Sequence, residues 1–251
     1  MILMIIDFHT HLFKSWNGLK GMTPDEMLRV MDKYGVSQSV AFTMNGFWGD
    51  FRAANDELAN LTKPHRDRLI PFCTVHPYAG NAAIEEMKRC YEQFGMRGMK
   101  LHPWCQGFFV TSDPMFRVAE CAASINMMLV LHDGTPPYTE PLQIAHLARS
   151  FPTVTILLGH GGLKDFPIEV IMAAEQVPNL YVGTNTTTAA LRKMWKTLNG
   201  DRMLFGSDSG FGQYSLDWFL TAIDSIEIPS RIKQKILFDN AREVLKAIGV
   251  S

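Results

Sequence analysis

The sequence predicts a (β/α)8 barrel of the α/β class with a C-terminal helical tail, formed as a single domain over residues 1–251. Three observations lead to it. Short apolar runs alternate with longer amphipathic ones about eight times along the chain, the rhythm of strand–helix units wound around one core. Several runs are almost continuously apolar, as in Met127–Leu131 and Val154–Leu158, which is how parallel strands buried on both faces read. Polar residues, histidines above all, mark the points where those runs stop. A doubly wound open sheet is the rival. No Gly-x-Gly-x-x-Gly follows the first run, which weakens a dinucleotide-binding version of that rival.

Taken in order, the strands are expected at Ile2–Phe8, Ser39–Phe42, Leu69–Val75, Gly98–Leu101, Met127–Leu131, Thr153–Leu158, Leu180–Val182 and Arg202–Phe205. The first helix is expected over Pro24–Tyr34, because Thr23 is a good N-cap and Pro24 suits the first helical position. Asn81–Phe94 carries Ile84, Met87, Cys90 and Tyr91 at helical spacing. Asp113–Ser124, Glu140–Ser150, Lys164–Gln176 and Thr187–Leu198 continue the series, and Pro229–Ile248 forms the tail.

A formal net charge of −1 with 47% hydrophobic residues points away from nucleic acid or an acidic membrane surface as the main partner. No apolar stretch approaches the roughly 20 residues that a membrane span needs. Residues 1–6 are apolar but run straight into Asp7 without a basic start, so they read as a buried strand and not as a leader. Cys73, Cys90, Cys105 and Cys121 show no Cys-x-x-Cys spacing and are expected to be reduced, in a cytoplasmic protein. A small-molecule substrate is the expected partner, and assembly into a homo-oligomer is compatible with this composition.

The first run ends in Asp7-Phe8-His9-Thr10-His11. Side chains two apart on a strand share a face, so His9 and His11 project together. Lys100 and His102 end the fourth run, His132 the fifth, His160 follows the sixth in Gly-His-Gly-Gly, and Asp208 follows the eighth. In a barrel those carboxyl ends converge on one mouth. Imidazole and carboxylate donors together suit a borderline divalent ion such as zinc. Such an ion lowers the pKa of its water towards about 7, and Asp208 is the carboxylate placed to handle the proton. Each residue also has a plain structural reading. His132 would be a satisfied core histidine, His160 a helix cap, Lys100 a salt-bridge partner and His102 a loop residue. His65, His76 and His146 receive no chemistry.

The ordered set Asp7-x-His9-x-His11, Gly98-Met99-Lys100-Leu101-His102-Pro103, His132, Gly159-His160 and Gly206-Ser207-Asp208, with the closing Ile236-Leu237-Phe238-Asp239-Asn240-Ala241, resembles the metal-dependent amidohydrolase superfamily. More narrowly, it resembles the amidohydrolase-related branch that includes lactonases and decarboxylases of small carboxylic acids. The resemblance implies one or two divalent ions at the barrel mouth. It implies that His9, His11 and His132 bind metal, and that Asp208 both binds metal and shuttles protons. His160 becomes a second-metal ligand or a catalytic histidine, and Lys100 a ligand only if carboxylated.

Aromatic residues Trp16, Phe47, Trp48, Tyr78, Trp104, Phe108, Phe109, Phe211 and Tyr214 fall in the mouth loops and would wall a flat substrate. His102, Trp104, Gln106 and Asn185 are the expected substrate contacts, with Asn45, Thr186 and Arg52 as further polar candidates. Two chemistries compete. One is hydrolysis of an ester, lactone or amide carbonyl. The other is decarboxylation of a small unsaturated or aromatic acid. A catalytically silent barrel kept as a binding protein is the third reading, and the intact set of proposed ligands argues against it.

Overall fold

The computed structural model describes residues 4–211 and 214–250, with Tyr214 described in its backbone alone. Eight parallel strands line the core: β1 (Ile5–His11), β2 (Val36–Phe42), β3 (Leu69–Phe72), β4 (Gly98–Leu101), β5 (Met128–Leu131), β6 (Ile156–Leu158), β7 (Leu180–Gly183) and β8 (Met203–Leu204). They pair as β1–β2–β3 and as β4 through β8 in sequence order. Backbone bonds join the two sheets at both seams. Cys73 N–H donates to Gly98 O and Lys100 N–H to Cys73 O, at 3.0 and 2.8 Å. Phe8 N–H donates to Phe205 O and Asp208 N–H to His9 O, both at 2.8 Å. The barrel is thereby closed, and a sheet without edges leaves no strand free to pair elsewhere.

A helix follows each strand: α1 (Pro24–Tyr34), α2 (Phe51–Thr62), α3 (Asn81–Phe94), α4 (Asp113–Ser124), α5 (Pro141–Ser150), α6 (Pro167–Gln176), α7 (Thr188–Leu198) and α8 (Tyr214–Asp224). Thr23 and Glu26 form the capping box expected at the head of α1. Helices α2 and α8 carry no clear sequence signal. The buried face of α2 is mostly small or polar (Ala54, Asn55, Leu58, Ala59, Thr62), and its start is fixed by Asp50 accepting from Arg52 and Ala53 N–H. A short hairpin, Ser15–Trp16 with Lys20 and Leu19, extends the loop after β1.

Two apolar layers result. Between strands and helices lies the larger one, with residues such as Met99, Leu129, Leu131, Ile156 and Ala173. Inside the barrel, Ile6, Phe8, Val40, Phe42, Ile70, Phe72, Met128, Val130, Leu157 and Leu204 meet Phe238, Ala241, Val244, Leu245 and Ile248 of the tail, which plugs the amino end. That tail is not the one continuous helix the sequence suggests. It runs as Ser230–Gln234, a π turn at Lys235–Asp239, and Asn240–Ala247. Within the wider turn, Ile236 O accepts the N–H of Phe205, so the interruption ties the tail to β8. No helix among the described residues is long and apolar enough to cross a membrane.

Candidate active site at the carboxyl ends of the strands

β1 changes register where it matters. Asp7 pairs with Ser39 but Thr10 with Ala41, three steps on one strand against two on its neighbour. This bulge turns adjacent residues to one side. Phe8 joins the barrel interior, and His9 also points inward, its ring 5.1 Å from Phe42 and 4.8 Å from His160. The shared face of His9 and His11 holds as the strand period requires, with ring centres 5.4 Å apart. Plain alternation from Ile6 and Phe8, however, would have turned both histidines outward. Two glycines clear the space: a Cβ on Gly159 would lie 3.2 Å from both His9 Cε1 and Lys100 Nζ, and one on Gly206 would lie 2.8 Å from His9 Cβ.

Asp7 faces the other way and acts as a clamp. Its carboxylate accepts from the N–H of His9 and Ser207 at 3.2 and 3.0 Å and from Ser207 Oγ at 2.5 Å. One buried carboxylate thus ties the end of β1 to the segment after β8. Asp208 next door has φ +55°, in the left-handed region that aspartate tolerates better than most residues. Its Oδ1 lies 2.9 Å from His11 Nε2 and 3.5 Å from His9 Nε2, with the side chain 37% exposed.

The histidines are oriented from behind. His9 Nδ1 faces Gly159 O at 3.2 Å, which directs its N–H there and turns the Nε2 lone pair towards Asp208. His160 Nδ1 meets the Asn185 amide at 2.8 Å. Asp133 holds the His160 loop by accepting the N–H of His160 at 2.6 Å and that of Gly162. His132 stacks on His102 with centroids 3.8 Å apart and lies 4.1 Å from His160.

Burial sets the charges. His9, His132 and His160 are held well below the ordinary imidazole range, first by burial and then by neighbours: the Lys100 charge for His9, His160 for His132, His9 for His160. His102 is pushed down to about 3 by burial and Lys100. These imidazoles are therefore neutral lone-pair donors near pH 7. Lys100 falls to about 8 through burial, opposed by the charges of Asp208 and Asp133. Burial lifts Asp7 to about 7 and Asp133 to about 6.

These residues fit a divalent ion. His9, His160 and Asp208 each offer one donor atom, all within 4.8 Å of one another, a group that a small inward shift of the side chains would bring to the roughly 3.4 Å separation of donors around one ion. His9 Nε2, His11 Nδ1, Lys100 Nζ and Asn185 Oδ1 are buried without a hydrogen-bond partner in the protein, a costly state unless something else satisfies them. His11 adjoins that group through Asp208 and His132 through its ring contact with His160. Lys100 Nζ, an ammonium 5.6 Å from the Phe42 ring centre, repels a cation as it stands.

Several loop residues have other jobs than the sequence suggests. Gln106 is spent on backbone: its Oε1 accepts from His102 N–H at 2.8 Å and its Nε2 donates to Val75 O at 2.9 Å. Asn185 is turned to His160. Arg52 lies 4.0 Å from Glu86 on the helical layer, Asn45 donates to Glu57, and Thr186 Oγ1 donates to Leu163 O. Trp104 is exposed, its ring 6.0 Å from His102. Phe108 is core, Phe47 is buried, Tyr78 lies beside His76 and Phe109 stacks on Tyr138. The aromatic wall that does reach the site is Trp16, stacked on Trp48 at 5.5 Å, and Phe211, whose ring is 5.8 Å from Trp16 and 5.5 Å from His11. The side chain of Tyr214 lies outside the described residues. The sequence reading gave no role to Asp133 or Ser207, and treated Asp7 only as part of a motif. A polar residue that serves backbone amides carries no signature of spacing.

Similar architecture occurs in solved structures. An uncharacterized TIM-barrel protein from Bordetella bronchiseptica superposes with a TM-score of 0.77 at 21% identity, covering 98% of this chain and 100% of that one. The 2,6-dihydroxybenzoate decarboxylase from Rhizobium gives 0.73 at 17%, covering 98% and 99%. The 5-carboxyvanillate decarboxylase from Novosphingobium aromaticivorans, complexed with manganese and a nitrobenzoic acid, gives 0.70 at 16%, covering 88% and 79%. At these identities the likeness is one of fold. The profile of the Amidohydrolase family matches residues 6–247, nearly the whole chain, and the protein belongs to that family.

Proposed function

We propose that this protein is a metal-dependent hydrolase acting on an ester, lactone or amide carbonyl of a small, ring-containing substrate. The observation that carries the reading is the placement of Asp208, a partly exposed carboxylate against two buried imidazoles. His9, His11, His132 and Asp208 would hold the ion, which we take to be zinc from its nitrogen and oxygen donors, with His160 as a further ligand or as the group that polarises the substrate. When bound, the ion supplies Lewis acidity, lowering the pKa of a water and polarising the carbonyl. Asp208 accepts the proton from the attacking water and returns it to the leaving group. Gly159 O and Asn185 fix the orientation of His9 and His160, so these rings need no reorganisation during the reaction. Trp16 and Phe211 offer faces against which a ring can lie.

One observation favours a second reading, decarboxylation of a small aromatic acid. Lys100 places a buried, unpartnered ammonium at the site, suited to a substrate carboxylate, and two of the solved structures above are decarboxylases of aromatic acids. A panel of aryl esters, lactones, amides and hydroxybenzoic acids, run with metal-loaded protein, separates the two. Incorporation of heavy oxygen from labelled water marks hydrolysis, and carbon dioxide release marks the lyase. Turnover of none of them overturns both readings.

A further inference from the structure

A cavity of about 560 Å³ lies just outside the site, bounded by Lys20, Glu26, Arg29, Lys33, Gly210 and Phe211. Its inner wall is the outer wall of the histidine cluster. Gly210 is laid so closely on β1 that a Cβ there would sit 2.2 Å from His11 O, and the Phe211 ring stands 5.5 Å from that of His11. Lys20 and Arg29 therefore face one carboxylate, Glu26, across this cavity, in a protein whose net charge is −1. That carboxylate accepts from the backbone and side chain of Thr23 at 2.7 and 3.0 Å, closing the cap of α1, and its charge is shared between Lys20 and Arg29, which leaves an excess of positive charge. Among the described residues neither Lys20 nor Arg29 makes an ion pair. Arg29 and Lys33 stand one helical turn apart on α1 and so present their charges on the same side. Met22 and Val30 give the cavity an apolar floor.

We propose that this cavity is an anion subsite, which holds a phosphate- or carboxylate-class group of the substrate while its reactive end reaches past Phe211 to Asp208. The inference rests on the metal site being the reacting end. Concave, positively charged walls concentrate anions, and the guanidinium of Arg29 matches a phosphate or carboxylate edge through paired N–H donors. The apolar floor and the Phe211 ring accept the linker between the two ends. The substrate is then bipolar, with an anionic group on one side of Phe211 and a hydrolysable or decarboxylatable group on the other.

The test is binding of phenylphosphonate and of inorganic phosphate to the metal-loaded protein, followed by the fluorescence of Trp16 and Trp48 beside Phe211. In the double variant Lys20→Gln/Arg29→Gln the affinity for phenylphosphonate is expected to fall at least about tenfold, as loss of charge-assisted bonds does, with metal content unchanged. Phenylphosphonate should also bind more tightly than phosphate, because its ring meets Phe211. Three results would overturn the proposal. One is equal affinity in wild type and double variant. Another is no binding of either probe. The third is loss of phenylphosphonate binding in metal-depleted His9→Ala protein, which would put the anion on the ion. The readout is binding, so a failed search for a turned-over substrate counts against the hydrolase reading and leaves this result standing.

Discussion

The two ends of this barrel are built from the same strands and do opposite things. At the amino end, Ile6, Phe8, Val130 and Leu157 are sealed by Phe238, Val244, Leu245 and Ile248 of the tail, and Asn240 of the tail donates to Gly200 O and Met203 O. At the carboxyl end, a few residues along the same strands, His9, His11, Lys100 and Asn185 bury polar atoms that the protein itself leaves unpartnered. The bulge between Asp7 and Thr10 is the boundary, because it lets one strand serve both ends. The plug carries stability, and the mouth gives some of it up to keep donors aimed at one point.

The contrast breaks most directly at His9. In His9→Ala, stoichiometric metal should be lost and turnover with it, while His65→Ala, whose ring lies 4.0 Å from Asp25 on the surface, should match the wild type in both. Elemental analysis of the two purified variants is the check, and equal metal content would remove His9 from the ligand set. Asp208→Asn comes next. Asparagine can still offer an oxygen to the ion but cannot take a proton, so turnover should drop about 10²–10⁴-fold with substrate affinity little changed. Near-normal turnover by a folded, metal-loaded variant would shift the proton to His160 and strengthen the lyase reading.

At the other end, Phe238→Ala should behave in the reverse manner. Removing a buried ring from the plug leaves a cavity in the barrel's inner apolar cluster and should lower stability by about 3–5 kcal/mol. Metal stoichiometry and the pH profile of activity should not move. Chemical denaturation paired with elemental analysis reads both, and a variant that loses metal while still folded would mean that the two ends are coupled.

Much of this division could be read from the chain. The strands showed because their apolar runs are bounded by histidines and glycines, and the site showed because five of its residues stand at run ends. The bulge did not show, since register is a relation between two strands and Asp7-Phe8-His9-Thr10 looks the same with or without it. Helix α2 carries no such signal, because Ala54, Asn55 and Ala59 make a buried face too small and polar to stand out. Gln106 reads as a substrate contact but its amide serves the backbone of His102 and Val75, because an amide in a loop has the same sequence signature in either role. Asp133 escaped notice for a related reason: its partners are the N–H groups of residues far along the chain. Phe211 and its link to His11 depend on how the loop after β8 folds back over β1.

The smallest expected effect of a substitution is on the slope of stability against pH, and it distinguishes the two ends without any substrate. In the metal-free protein, His9, His102, His132 and His160 stay neutral well below the ordinary value of 6.5. Below pH 6.5 the unfolded chain therefore binds up to four protons at these positions that the folded chain refuses. Asp7 and Asp133 work in the opposite direction, being protonated in the fold below about 7 and about 6 but ionised in the unfolded chain down to 3.8. Four against two leaves about two net protons on the unfolded side, so stability must fall as the pH falls through this window. Each net proton is worth up to about 1.4 kcal/mol per pH unit. Urea denaturation of metal-free protein near neutrality and at about pH 5 measures it. The Phe238→Ala curve should run parallel to the wild type, since the plug carries none of these groups, whereas His102→Phe should flatten the slope by removing one of the four. A stability that rose on acidification would mean that the two buried carboxyls, and not the imidazoles, set the charge balance of the mouth.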